Sequence, residues 1–243
     1  LAPGAVPEDQ QMASAAWFLR LCRITGIPVI PSSASPQFMA MSAAAHPREV
    51  TILSLDGVAN VTEAAGLYGD FYSDVLRVVV LGGKRFALQA PAWDADNDLL
   101  LHADPQRAQD LFDSSSAVAL IDMHAASLFR VTLEECFRVK GYSTTLYYLL
   151  KEYLLSEGCF GRTGRAEGVL WALAPAIYAA FPETFATRGV SVSVDHDDPS
   201  LVHTGGDGDV TLVEHPVDFD ASFDRLHAAW AAGPLADERQ SFP

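Results

Sequence analysis

The chain has 243 residues, is 49% hydrophobic, and carries a formal net charge of -15 with a pI near 4.7. That apolar content suits one α/β domain with a sizeable core. The charge argues against a broad nucleic-acid surface, which needs clustered Lys and Arg, and no apolar run approaches the ~20 residues of a membrane-spanning helix.

No signal or transit peptide pattern is visible at Leu1. Cys22, Cys136 and Cys159 lie far apart among apolar neighbours and form no CxxC pair. They read as reduced, buried thiols of a reducing intracellular compartment, cytoplasm or mitochondrion.

Residues 1–6 are short and apolar, and a helix starts at Pro7-Glu8-Asp9, with proline and acids in its first turn. It runs to about Thr25 and stops at Gly26. A short buried strand is expected over 27–31, a loop over 32–36 and a short helix over 37–45. The run 48–83 then organises the chain. Residues 50–55 are apolar and β-branched, and Asp56-Gly57 breaks them. Residues 58–67 have helical spacing, ended by Tyr68-Gly69-Asp70. Residues 75–81 are a second apolar strand, closed by Gly82-Gly83. Two apolar strands around one helix predict a βαβ unit of a parallel sheet covered on both faces. Ligands of such sheets bind beyond the carboxyl ends of the strands, here near Asp56-Gly57 and Gly82-Gly83.

Residues 84–97 form a loop, 98–103 a short strand, and Asp104-Pro105 starts a helix to about Phe112. After a loop at 113–116, residues 117–122 are a buried strand. Residues 132–156 are helical, divided at Gly141, with a tyrosine and leucine stripe that serves as core or partner surface. The loop 158–164 is basic but lacks the Lys-Ser pair of a phosphate loop. Residues 189–195 and 207–215 alternate and predict a hairpin with a long loop. Residues 218–232 form the final helix, with Phe219, Phe223, Leu226 and Trp230 on one face, and 233–243 are a tail.

The cluster Asp195-His196-Asp197-Asp198 with His203 has metal-binding residue types, but its spacing fits no firm pattern and it reads as a solvated acidic turn. Asp94, Asp96 and Asp98 alternate as in a calcium loop without the Gly and terminal Glu of an EF-hand. No G-x-S-x-G and no local Cys/His signature is present. No catalytic residue and no metal site is assigned.

The turn Asp56-Gly57-Val58-Ala59-Asn60 and the strand ending Leu81-Gly82-Gly83 resemble the centre of the inosine-uridine preferring nucleoside hydrolases, where a Gly-Pro-Leu-Thr-Asn turn precedes a strand ending Met-Gly-Gly. Further landmarks fall in the same order. Gly4-Ala5-Val6 stands for a Gly-Asn-Val, Asp104-Pro105 for an Asp-Pro helix start, and Asp122 for the aspartate of Leu-Asp-Val-Thr. Pro182-Glu183-Thr184-Phe185 stands for Pro-Glu-Leu-Phe. The resemblance implies a pocket at Ala5, Asn60, Asp98, Leu100, Asp122, Trp171 and Ala172. It also marks the losses: two sugar-contacting asparagines are Ala5 and Leu100, the leaving-group histidine is Trp171, and a calcium-ligating aspartate is Ala172. Tryptophan has no labile proton to give at neutral pH, and alanine's side chain cannot ligate a hard cation. The family's opening D-x-D-x-G-x-D-D strand, with its calcium ligands and general base, has no counterpart before Leu1.

The expected architecture is therefore one α/β domain over 1–243, with a mostly parallel sheet flanked by helices. It is nucleoside hydrolase-like, lacks the first strand and carries a late β-hairpin. Three functions are expected in turn. The first is a non-catalytic homologue acting as a structural subunit of a larger protein assembly, such as an organellar one. The second is a calcium-dependent nucleoside hydrolase whose aspartate strand lies outside this chain. The third is a nucleoside or ribose sensor, whose melting temperature such ligands would raise.

Overall fold

A computed structural model describes residues 7–21, 24–55, 57–85, 104–114, 117–141, 143–155, 167–195, 197–198 and 201–232. Its centre is a five-stranded sheet in the order β1-β2-β3-β9-β6. The strands are β1 (Thr51–Ser54), β2 (Arg77–Leu81), β3 (Val118–Ile121), β9 (Val210–Pro216) and β6 (Phe185–Val190). The first four run parallel, with Ile52 beside Val78, Val78 beside Val118 and Leu120 beside Leu212; β6 pairs antiparallel to β9. β2 and β3 are apolar at nearly every position because helices cover both faces of the sheet.

Alternation along the strands divides the core in two. Val79, Leu81, Ala119, Ile121 and Val213 face one layer, packed with α6 (Met123–Ser127), α7 (Leu133–Lys140), α8 (Thr144–Leu155), α9 (Leu173–Ala180) and α10 (Phe219–Ala232). Val78, Val80, Val118, Leu120 and Leu212 face the other. That layer is packed with α2 (Ser35–Ala45), α3 (Ala59–Leu67), the single turn α4 (Phe71–Asp74) and α5 (Pro105–Ser114). Each fully buried Val, Leu or Ile contributes roughly 1.5–3 kcal/mol of hydrophobic free energy. The first layer also stacks aromatic rings: Phe129, just after α6, lies 4.9 Å from Phe219 and 5.7 Å from Phe185, centroid to centroid.

The late hairpin is more elaborate than the alternation predicts. The expected strand 189–195 is split at Ser191: β6 pairs with β9, while β7 (Val192–Val194) pairs with β8 (Val202–Thr204) in a separate ribbon. Gln109 of α5 holds this ribbon down, donating from Nε2 to the Val192 carbonyl at 3.2 Å and accepting from Val194 N–H at 2.9 Å. A further antiparallel pair joins β4 (Arg130–Thr132) to β5 (Glu167–Val169), so that Thr132, the expected helix start, ends a strand before it caps α7.

Two boundaries need correction. The first helix, α1 (Glu8–Leu21), stops before Thr25 and buries no residue. The expected buried strand at 27–31 is neither a strand nor buried: Ile27 is 57% exposed. Pro28 and Pro31 lack the N–H groups that a sheet ladder requires. The divided helix is found as read, with α7 and α8 meeting around Gly141. The expected loop 158–164, the expected strand 98–103 and the tail 233–243 lie outside the described residues.

Candidate functional site

The carboxyl ends of β1, β2 and β3 open on one side of the sheet, each marked by its own chemistry. At the end of β1, Ser54 Oγ donates to the Gly57 carbonyl at 2.5 Å, closing the turn into α3. Gly57 has φ 93°, a left-handed conformation that favours glycine. Asn60, in the first turn of α3, donates its amide to Ser32 Oγ at 3.1 Å, which ties α3 to the turn before α2. At the end of β2, Gly82 and Gly83 are both buried with positive φ, 148° and 77°. This backbone feeds Lys84 into a bridge with Leu201.

At the end of β3 stands Asp122, fully buried. Its Oδ1 accepts from Ala125 N–H at 2.7 Å and so caps α6. Its Oδ2 accepts from Arg85 Nε, in an ion pair whose arginine side chain is 11% exposed. Arg85 Nη1 also lies 3.9 Å from Glu214 of β9, and Glu214 accepts from Arg188 Nε of β6 at 2.8 Å. Asp122, Arg85, Glu214 and Arg188 thus stitch β3, β9, β6 and the exit of β2 together by charge-assisted hydrogen bonds and ion pairs.

Helix α9 lies against β1, β2 and α6. Its C-terminal half reaches the start of β2, where Arg77 sits 5.0 Å from the Tyr178 ring centroid. Trp171 and Ala172 lie just before α9: Trp171 packs partly buried on the first core layer, and Ala172 is exposed.

The expected pocket is therefore only partly visible. Asp122 is in place but fully engaged, Asn60 serves a turn, and Trp171 serves the core. Ala5, Asp98 and Leu100 lie outside the described residues, as do Asp94 and Asp96. The residue that sequence reasoning missed is Arg85. The signal was the Lys84-Arg85 pair directly after Gly82-Gly83, a cation delivered to the strand ends opposite a buried aspartate.

Calcium, which the sequence resemblance implies, does not fit this corner. Ala172, where the resemblance puts a calcium ligand, offers no side-chain oxygen, and the Asp122 carboxylate is already paired with Arg85. The acidic turn makes a pair instead of a metal cage. Asp195 Oδ2 lies 2.7 Å from His203 Nε2, and its Oδ1 accepts from the N–H groups of Asp197 and Asp198. These bonds, chiefly the one with His203, hold the Asp195 carboxyl down at about 2. His196 lies outside the described residues, among which no group of three or more His, Cys, Asp or Glu is arranged to hold a metal.

A mostly parallel sheet covered by helices on both faces, with glycine and aspartate at its strand ends and a late antiparallel excursion, defines a mixed α/β fold. Comparison with solved structures narrows this to the nucleoside hydrolase fold. The purine-preferring ribonucleoside hydrolase from Gardnerella vaginalis superimposes with a TM-score of 0.65 at 19% identity, covering 83% of this chain and 66% of that one. The inosine-uridine preferring nucleoside hydrolase from Bacillus anthracis gives 0.62 at 14% identity, covering 93% and 76%. By sequence, the chain is 32% identical over 103 residues to Probable uridine nucleosidase 1 of Oryza sativa subsp. japonica, which is 42% of this chain and 29% of that protein. No family model matches. The chain thus spans under a third of that curated relative and 66% of the Gardnerella enzyme.

Proposed function

We propose that this chain is a non-catalytic member of the nucleoside hydrolase fold, a single domain that acts as a structural or interaction subunit of a larger protein complex. The observation that carries the reading is Asp122: both of its carboxylate oxygens are spent inside the protein, on Arg85 and on the cap of α6. A carboxylate so engaged is poorly placed to bind a cation or to activate water. Trp171 and Ala172, where the resemblance puts an acid and a ligand, support the same reading. So does β1, an edge strand among the described residues, where Leu53 and the following Leu55 are partly exposed and a partner's strand could complete the sheet. The sparse cysteines, with no CxxC pair and Cys136 buried in the core, fit a reducing compartment, cytoplasm or mitochondrion.

The test is paired. Native size in extract of the source should place the protein in an assembly much larger than itself, and the purified full-length protein, with any residues that precede Leu1, should release no base from inosine, uridine or adenosine with or without calcium. Calcium-dependent release would overturn the proposal. It would establish the second reading, a nucleoside N-ribohydrolase whose aspartate strand lies outside this chain. The 32% identity with a named uridine nucleosidase favours that alternative.

A further inference from the structure

We propose that the β7–β8 ribbon is a strap, fastened by Gln109, that keeps Arg85 on Asp122. The inference rests on the reading of Asp122 as an engaged carboxylate and adds what holds it so. The ribbon pairs Val192–Val194 with Val202–Thr204 in a sheet of its own, apart from the main one. A short two-stranded ribbon is marginal in water by itself, so this one depends on what it is fastened to. Val192, Val194 and Val202 are buried against the second core layer, which docks the ribbon as long as its edge is held.

One fastening is Gln109 of α5. Its Nε2 donates to the Val192 carbonyl and its Oε1 accepts from Val194 N–H, so a single side-chain amide makes the bonds to β7 that the backbone of an added strand would make. Nε2 also lies 2.9 Å from Asp113 Oδ1, which orients the amide. The other fastening joins the ribbon to the exit of β2. Val202 N–H donates to the Lys84 carbonyl at 2.9 Å, beside the bridge between Lys84 and Leu201. On the other side of this exit, the Gly83 carbonyl accepts from Met123 N–H at 2.9 Å, at the end of β3. Arg85 follows Lys84 directly and pairs with Asp122. A ribbon that lifts from α5 therefore takes away the tie one residue before the guanidinium. The hold of Gln109 reaches Asp122 through one contiguous set of bonds: β7, β8, Lys84 and Arg85.

Hydrogen exchange followed by nuclear magnetic resonance on the full chain tests this, at the Val202 amide and the Arg85 Nε–H. In the parent the two sites should open together, and more often than the Leu120 amide of central strand β3. Gln109→Leu keeps most of the side chain's bulk and removes both bonds to β7. It should speed exchange at Val202 and at Arg85 by roughly 10–100-fold and leave Leu120 unchanged. Gln106→Leu, three residues earlier, removes an exposed amide bonded to Asp110 and should exchange like the parent. Val202 opening while Arg85 stays protected overturns the strap, and so does a Leu120 amide that accelerates by the same factor. A parent whose Val202 and Arg85 open independently overturns it without any variant. The exchange pattern is read apart from base release, so failure of the strap and failure of the non-catalytic reading are separate results.

Discussion

Asp122 and Asp195 are each caught by a basic partner, and their settings are opposite. Asp122 is fully buried at the end of a central strand, held by Arg85 and by the first turn of α6. Asp195 sits in the connection between β7 and β8, with His203 largely exposed across from it. The acidic turn is the more conspicuous in sequence, since it crowds five metal-type residues into nine positions. The isolated aspartate is the more consequential in structure, because low dielectric raises both the cost of leaving it unpaired and the strength of its pairing. Density of ligand-type residues is thus a poor guide to a site, and burial with a dedicated counter-charge is a better one.

The largest expected effect breaks the first of these. Asp122→Ala strands the Arg85 guanidinium inside the protein and uncaps α6, and should cost about 3–5 kcal/mol in urea or thermal unfolding. Asp122→Leu together with Arg85→Met removes both charges and should recover most of that loss, since a buried pair is often replaceable by apolar residues of similar size. If Asp122 were instead a functional ligand restrained by its neighbour, Arg85→Met alone would create calcium affinity, measurable by titration calorimetry. We expect no binding heat and a folding defect.

A smaller effect is expected where the β7–β8 excursion leaves the main sheet. A Cβ on Gly208 would lie 2.3 Å from Ser191 N and 2.4 Å from the Val190 carbonyl carbon, both backbone atoms. Gly208→Ala should therefore cost on the order of 1–3 kcal/mol through a forced backbone shift. Gly206→Ala, two residues away, meets nothing within 4 Å and should be nearly silent. Equal melting temperatures for the two variants would mean that the excursion is not held against Ser191 as described.

The fold was legible where one residue class repeats. The runs at β2 and β3 are apolar because both their faces are covered, and composition alone carries that. The division at Gly141 and the apolar stripe of α10 are local as well. The rest depends on contacts that no local pattern encodes. Thr132 and Glu167 lie far apart in the chain and pair only because α7 and α8 fold back between them. Residues 27–31 have the apolarity of a strand but not its hydrogen bonds. At the candidate site, Asp122 could be singled out from its place after an apolar run. Its role could not, because that is fixed by Arg85, which arrives from the neighbouring strand 37 residues earlier.

The smallest expected effect belongs to the acidic turn, and its sign follows from the carboxyl. In the folded chain Asp195 titrates at about 2, below the ordinary 3.8, because His203 and the Asp198 and Asp197 amides bond its charged form. A lowered folded value means that the contribution is fully present above the ordinary carboxylate range and is lost as pH falls through about 2. Both partners are solvated, so screening leaves little net stabilisation at neutral pH. Asp195→Asn should lower the melting temperature far less than Asp122→Ala at pH 7, and the gap between parent and variant should close in acid. Nuclear magnetic resonance titration of the Asp195 carboxyl checks this directly. A midpoint near the ordinary value would show that the His203 pair does not persist in solution, and the turn would then contribute no order to the β7–β8 connection.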